Sequence, residues 1–251
     1  MNSWFASLVV FALGLLEGSF VGLCAYRIPR GESVVLGRSH CDHCRSPLRW
    51  LYKLPLASYL MLGGHTRCCG QTISLRYPIL EMATGMSFVL IYWQVPASAD
   101  FLPIAVLLGL LAAGMLIDLD YKIIPDKVSL TGMALGLLLV RYSSQVGLEG
   151  ALLGILVCGG FLYMSAWLTE AVFRKSNSLG GGDIKFAAMI GAFLGWQQGL
   201  VAIMLASFAG TAFGLFQMIA NRDLQGRREI RFGPFLALGA VVSLIWGNFL
   251  P

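Results

Sequence analysis

Eight apolar runs, near 4–25, 78–95, 101–118, 128–145, 147–172, 184–196, 198–220 and 232–250, dominate this chain of 251 residues. Most are close to the ~20 residues that carry a helix across a bilayer. Inside hydrocarbon a helix satisfies its own backbone, so the runs predict an all-α polytopic membrane protein with about eight transmembrane helices. Composition points the same way: 57% of the residues are hydrophobic and 12% are charged, with a mean hydropathy of +0.74. A soluble domain carries roughly 25% charged residues. Two runs are weaker, since 128–145 contains Arg141 and 184–196 is short; a tilted or half-buried helix suits either one.

Lysine and arginine stay on the cytoplasmic side of short loops. With eight helices, the segments at 27–77, 119–127, 173–185 and 221–231 fall on one side and hold 17 of the 18 basic residues, leaving only Arg141 opposite. The predicted topology therefore puts both termini outside the cytoplasm. The net charge of +5 follows from that topology and implies no nucleic-acid partner; the basic loops instead suit anionic lipid head groups. The first run lacks a basic segment ahead of it and is followed by Arg27 and Arg30, so it reads as a retained helix and not a cleaved signal. Three regions result: a first transmembrane helix (1–26), a soluble cytoplasmic loop (27–77) and a membrane core (78–251).

The loop is too short for a confident apolar core of its own, and turn formers such as Ile28-Pro29-Arg30-Gly31, Ser46-Pro47 and Gly63-Gly64 interrupt it. Four of the six cysteines lie here: Cys41, Cys44, Cys68 and Cys69. Cys41-Asp42-His43-Cys44 is a C-x-x-C knuckle of the kind that suits tetrahedral zinc, while in Arg67-Cys68-Cys69-Gly70 the cysteines are adjacent. The candidate ligands are Cys41, Cys44 and Cys69, with Cys68 or His65 completing the set; an unligated or redox-active thiol cluster is the alternative. A closed four-ligand site leaves no open position for chemistry, so zinc here is expected to be structural. Cys24 and Cys158 fall in apolar runs, where a cysteine is usually a small packing residue.

An ionisable side chain near a bilayer is costly unless solvated or partnered, and such residues mark functional sites by default. Asp118 ends the third run in Asp118-Leu119-Asp120-Tyr121-Lys122-Ile123-Ile124-Pro125-Asp126, and Asp183 follows Gly180-Gly181-Gly182 at the start of the sixth. The topology brings both to the cytoplasmic face. Two carboxylates roughly 3 Å apart share a proton, so one can act as base on a water while the other polarises a carbonyl. That is the chemistry of an aspartyl protease. The glycines permit the close backbone approach that an extended substrate needs. Asp120 and Asp126 read instead as acids at helix ends, or as partners of Lys122 and Lys185.

These motifs together resemble the type IV prepilin peptidases, the bifunctional leader peptidase/N-methyltransferases of pilus and type II secretion systems, which are GxGD-type intramembrane aspartyl proteases. The likeness runs through Gly18-Ser19-Phe20, Tyr26-Arg27-Ile28-Pro29, the cysteine loop, Leu54-Pro55, Ser58-Tyr59-Leu60, Ile73-Ser74-Leu75-Arg76-Tyr77-Pro78 and Glu81, then the Asp118 segment and Gly180-Gly181-Gly182-Asp183 with Lys185. It implies cleavage of prepilins or pseudopilins at the cytoplasmic face of the bacterial inner membrane, after the glycine that ends a basic leader. Methylation of the new N-terminal residue, with S-adenosylmethionine as donor, is the second implied activity. The catalytic aspartates map onto Asp118 and Asp183; Gly180, Gly182, Lys185 and Glu81 become candidates for positioning substrate or donor, and Cys41, Cys44, Cys68 and Cys69 for holding structural zinc. The chain departs from the family pattern at Thr66, where the second C-x-x-C pair usually begins, and at Gly22, where asparagine is frequent. Competing readings are a peptidase without methylation, a transporter whose membrane acids carry ions, and a non-enzymatic scaffold.

Overall fold

The computed structural model describes residues 3–35, 40–41, 43–47, 52, 54–94, 99–173, 180–220 and 231–247. Among the described residues the regular structure is helical, apart from two isolated β-bridges. The helices are α1 (Ser3–Arg27), α2 (Ala57–Met61), α3 (Arg76–Gln94), α4 (Phe101–Tyr121), α5 (Asp126–Leu139), α6 (Leu148–Phe173), α7 (Gly181–Ala220) and α8 (Gly233–Gly247). Four stretches are long and apolar enough to cross a membrane: Trp4–Arg27, Phe101–Tyr121, Leu148–Val172 and Gly181–Ala220. The shorter α8 is also apolar. Arg38, Arg49, Lys53, Arg174, Lys175, Arg222, Arg227 and Arg228, on which the topology partly rests, lie outside the described residues.

Where its residues are described, each apolar run of the sequence coincides with helix over most of its length. The run at 128–145 stays α-helical only to Leu139 and closes in a 3-10 turn, Val140–Tyr142, that carries Arg141. The runs at 184–196 and 198–220 both lie in α7, which breaks at Gly195 with φ 74° and ψ 176°. Forty unbroken residues would extend ~60 Å, twice the ~30 Å of a hydrocarbon core. Glycine tolerates the positive φ at the break, and the chain turns back on itself there: a Cβ added to Gly199 would stand 3.3 Å from the Gly191 Cα.

The chain forms two compact units, Met1–Phe101 and Leu102–Pro251. In the first, α1 and α3 pack antiparallel along a line of small residues. A Cβ on Gly14 would lie 2.7 Å from the Gly85 Cα, and one on Gly18 would lie 2.8 Å from the Glu81 Cα. Such positions let helix backbones approach where lipid offers no hydrophobic drive to associate. Thr84 spends its hydroxyl on its own helix, donating to the Leu80 and Glu81 carbonyls at 3.0 and 2.9 Å.

The first half of α7 is the axis of the second unit, with Phe186, Ala187, Met189 and Ile190 fully buried. Gly114 of α4 faces the Phe186 ring, Gly132 and Gly136 of α5 face Met189 and Ala192, and Gly154 of α6 meets Gly191 backbone to backbone. These pairings run α5 parallel, and α6 antiparallel, to that half. The second half of α7 pairs with α8, where Gly239 passes close to Ala202 and Ser243 donates its hydroxyl to the Gln198 carbonyl at 2.8 Å.

Candidate active site

Asp118 occupies the last turn of α4 and is 6% exposed. The helix ends just beyond it: Lys122 adopts a left-handed φ of 58° and donates its N–H to the Asp118 carbonyl at 3.0 Å. Pro125 then caps α5 at φ −66°; proline offers no amide hydrogen and steers the residue before it away from helix. The Asp118 carboxylate is held from elsewhere, since its Oδ2 accepts the Gly233 N–H at the start of α8 at 3.1 Å. Arg231, two residues earlier, is near enough to act on the carboxylate through its charge.

Asp183 lies half-buried in the first turn of α7, the end of a helix that favours negative charge. Its N–H donates to the Gly180 carbonyl at 3.0 Å. Asp118 lies within Coulombic reach of it. The two carboxylates singled out by sequence thus share one end of the second unit.

The three glycines before Asp183 are not equivalent. At Gly182 an added Cβ would stand 2.9 Å from the Ile124 carbonyl oxygen and 3.2 Å from the Ile124 Cβ. At Gly180 it would stand 3.1 Å from the Asp183 Oδ2, and at Gly181 nothing among the described residues lies within 4 Å. Gly182 is therefore the point where the glycine segment rests on the link between α4 and α5. Lys185 fastens the same junction, its Nζ donating to both carboxylate oxygens of Asp126 at 2.6 and 2.7 Å. Asp126 thus pairs with a partner the sequence offered it.

Glu81 belongs to the first unit. Its Oε2 accepts the Leu56 N–H at 2.7 Å, and the Ser19 side chain also bonds to it. Leu56 is left-handed at φ 58°, so this bond holds a strained backbone at the entry to α2. A Cβ added to Gly22 would stand 3.3 Å from the Tyr77 ring, so a side chain there would need that ring to give by a few tenths of an ångström.

The cysteine loop contains two similar turns, each closed by one bridge: His40 with Pro47, and His65 with Thr72. In the first, the Cys41 N–H donates to the Ser46 carbonyl and the Arg45 N–H to the Cys41 carbonyl, both at 2.9 Å. The second repeats this with Thr66 to Gln71 at 2.7 Å and Gly70 to Thr66 at 2.8 Å. Arg45 and Gly70 take matching left-handed angles, φ 56° and 69°. Cys44 therefore corresponds to Cys69, and Cys41 to Thr66. The sulfur of Cys68, not residue 66, is the fourth member of the cluster.

The four sulfurs lie within 4.8 Å of one another, with Cys41 to Cys69 at 3.8 Å, Cys68 to Cys69 at 3.9 Å and Cys44 to Cys68 at 3.2 Å. A tetrahedron of ~2.3 Å zinc–sulfur bonds has edges of ~3.8 Å, so this donor set fits a zinc ion. Hydrogen bonds from the Ser46 hydroxyl and backbone draw the Cys44 thiol down to about 6, while its bonded neighbour Cys68 is pushed up to about 11. Thr66 and the Gln71 backbone lower Cys69 in the same way. His65 has its Nδ1 engaged with the Gly63 carbonyl at 2.8 Å.

Residues 105–215 match the type IV leader peptidase family, and residues 12–95 match the bacterial peptidase A24 N-terminal domain. The chain belongs to the type IV leader peptidase family. Its relatives include the prepilin leader peptidase/N-methyltransferase of Pseudomonas putida, 33% identical over 94% of this chain and 89% of that protein. The protein of the same name from Klebsiella pneumoniae is 37% identical over 79% of this chain and 89% of its own length. That from Pseudomonas aeruginosa is 31% identical over 96% and 90%. No solved structure matches the chain.

Sequence reasoning missed Gly233, Arg231 and Ile124. The Gly233-Pro234 pair opening the last apolar run signals a helix start, but no local pattern ties it to a carboxylate four helices earlier in order. Ile124 touches Gly182 through its backbone, to which side-chain identity gives no clue.

Proposed function

We propose that this chain cleaves prepilins or pseudopilins after the glycine ending a basic leader and then methylates the new N-terminal residue. The observation that carries the reading is the placing of Asp118 and Asp183 at one end of the second unit, within each other's electrostatic reach. One carboxylate takes a proton from the attacking water while the other, protonated, polarises the scissile carbonyl; the roles belong to the pair, which binds one proton between them. Gly182 and the Asp126–Lys185 pair hold the Asp183 segment against the Asp118 segment, and Gly180 leaves the Asp183 carboxylate room. S-adenosylmethionine is consumed as the second substrate, and Glu81 positions the segment around Leu56 for that half-reaction.

Eight membrane-spanning segments follow if the two halves of α7 count separately and α2 lies outside the bilayer. The bias of basic residues then turns the aspartates toward the cytoplasm at the inner membrane, where the basic leader of a prepilin stays while its apolar helix enters the lipid. Cys41, Cys44, Cys68 and Cys69 would hold zinc, which would supply folding energy to a loop without a core of its own and no reactive position.

The test is purified protein in detergent with a prepilin and S-adenosylmethionine, comparing wild type with Asp118→Asn and Asp183→Asn by mass spectrometry. Leader loss and an added methyl in wild type, with cleavage abolished in either variant, is the expected result. Cleavage that survives both substitutions would overturn the aspartyl mechanism.

A further inference from the structure

Asp118 stands at the wrong end of its own helix. It lies in the last turn of α4, where the backbone dipole presents its negative pole and disfavours a carboxylate. Asp183, in the first turn of α7, has the opposite and favourable placement. Something must compensate Asp118, which is also the more buried of the two. The start of α8 does so with two features of one residue. The Gly233 N–H, unused by its own helix as first-turn amides are, donates to the Asp118 Oδ2 at 3.1 Å. The Gly233 Cα faces the same carboxylate so closely that an added Cβ would stand 2.7 Å from Oδ2 and 3.1 Å from both Cβ and Cγ.

We propose that Gly233 is a positioning residue for peptide cleavage: its amide and its missing side chain fix the carboxylate of Asp118 in the orientation that the reaction uses. This rests on Asp118 and Asp183 being the catalytic pair. Gly233 is thus a glycine kept for space and not for an unusual backbone angle, since it does not take a positive φ. Arg231 adds its charge to the same anchorage. Asp183, carried by a glycine-rich segment, and Asp118, tied to a third helix, are therefore held by different means.

Restoring an ordinary contact of about 3.4 Å would move the carboxylate by about 0.7 Å, and a misplacement near 1 Å can lower a rate on the order of 100-fold. The experiment uses the full chain in proteoliposomes with a prepilin substrate, measuring kcat and KM for cleavage alongside methyl transfer to an already cleaved pilin. Gly233→Ala should lower the cleavage kcat about 25-fold while KM and methyl transfer stay within about threefold of wild type. Wild-type cleavage by Gly233→Ala would overturn the proposal.

If Gly233→Ala loses both activities through misfolding, the exposed Arg231 decides the matter. A fall in cleavage kcat for Arg231→Gln that Arg231→Lys restores supports the anchorage, and an unchanged kcat for Arg231→Gln overturns it. Asp118→Asn and Asp183→Asn run beside these variants. Should both still cleave, the catalytic pair itself is wrong and the proposal falls with it; should both be inactive while Gly233→Ala cleaves normally, only the role of Gly233 fails.

Discussion

Replacing Gly181 and Gly182 separately by alanine distinguishes crowding from loss of backbone freedom in the segment that carries Asp183. The two are neighbours, both helical at the start of α7 and neither at positive φ, so any effect of backbone flexibility is nearly common to them. Their surroundings differ: a Cβ at Gly181 meets nothing within 4 Å among the described residues, whereas at Gly182 it would stand 2.9 Å from the Ile124 carbonyl oxygen. Relief to about 3.4 Å needs a shift of about 0.5 Å, and the neighbour is backbone just ahead of Pro125, which cannot swing aside as a side chain can. Since about 1 Å of misplacement can cost on the order of 100-fold in rate, half of that lowers cleavage about tenfold, and overpacking destabilises by about 1–3 kcal/mol. Gly181→Ala should instead leave cleavage unchanged and stabilise the helix start by up to about 1 kcal/mol. Initial rates of prepilin cleavage and thermal unfolding in one detergent measure both quantities. Equal losses in the two variants, or full activity in Gly182→Ala, would refute the contact with Ile124 as the reason for glycine there.

Cys68→Ser should remove bound zinc from the purified protein while His65→Ala retains it, as read by elemental analysis, because four thiols already complete the tetrahedron; the reverse pattern would return His65 to the ligand set. Among the described residues the fully buried Ser129 has no partner for its hydroxyl, so Ser129→Ala should raise stability, by up to the ~1–3 kcal/mol that an unsatisfied buried group costs, and a lowered unfolding temperature would count against that picture. Lys185 and Asp126 are both substantially exposed, so a double-mutant cycle with Lys185→Met and Asp126→Asn should give a coupling of about 1 kcal/mol or less in stability; several kcal/mol would mean that the pair is far better shielded than its exposure indicates.

Helix positions were legible because apolar length reports directly on what a bilayer admits. The runs at 184–196 and 198–220 both fall in α7, and the reversal within it needed the backbone angle of Gly195 to become visible. Asp118 and Asp183 stood out by being acids among apolar neighbours, a signal that needs no structure. What the sequence hid was relational. Three consecutive glycines look alike until Ile124 is placed under one of them, and the adjacent Cys68 and Cys69 look like poor partners for one metal until the turn from 65 to 72 is seen to repeat the turn from 40 to 47. Gly233 carried only a helix-start signal, since its partner lies 115 residues away.

The break at Gly195 leaves the half of α7 that carries Asp183 with only residues 181–194, about 21 Å of helix. A hydrocarbon core is about 30 Å thick. Residues 186–195, however, are buried against α4, α5 and α6, so their neighbours and not lipid must accommodate the shortfall. The length of this half is set by where α7 turns back at Gly195, and that turn fixes how far Asp183 stands from the opposite end of the unit.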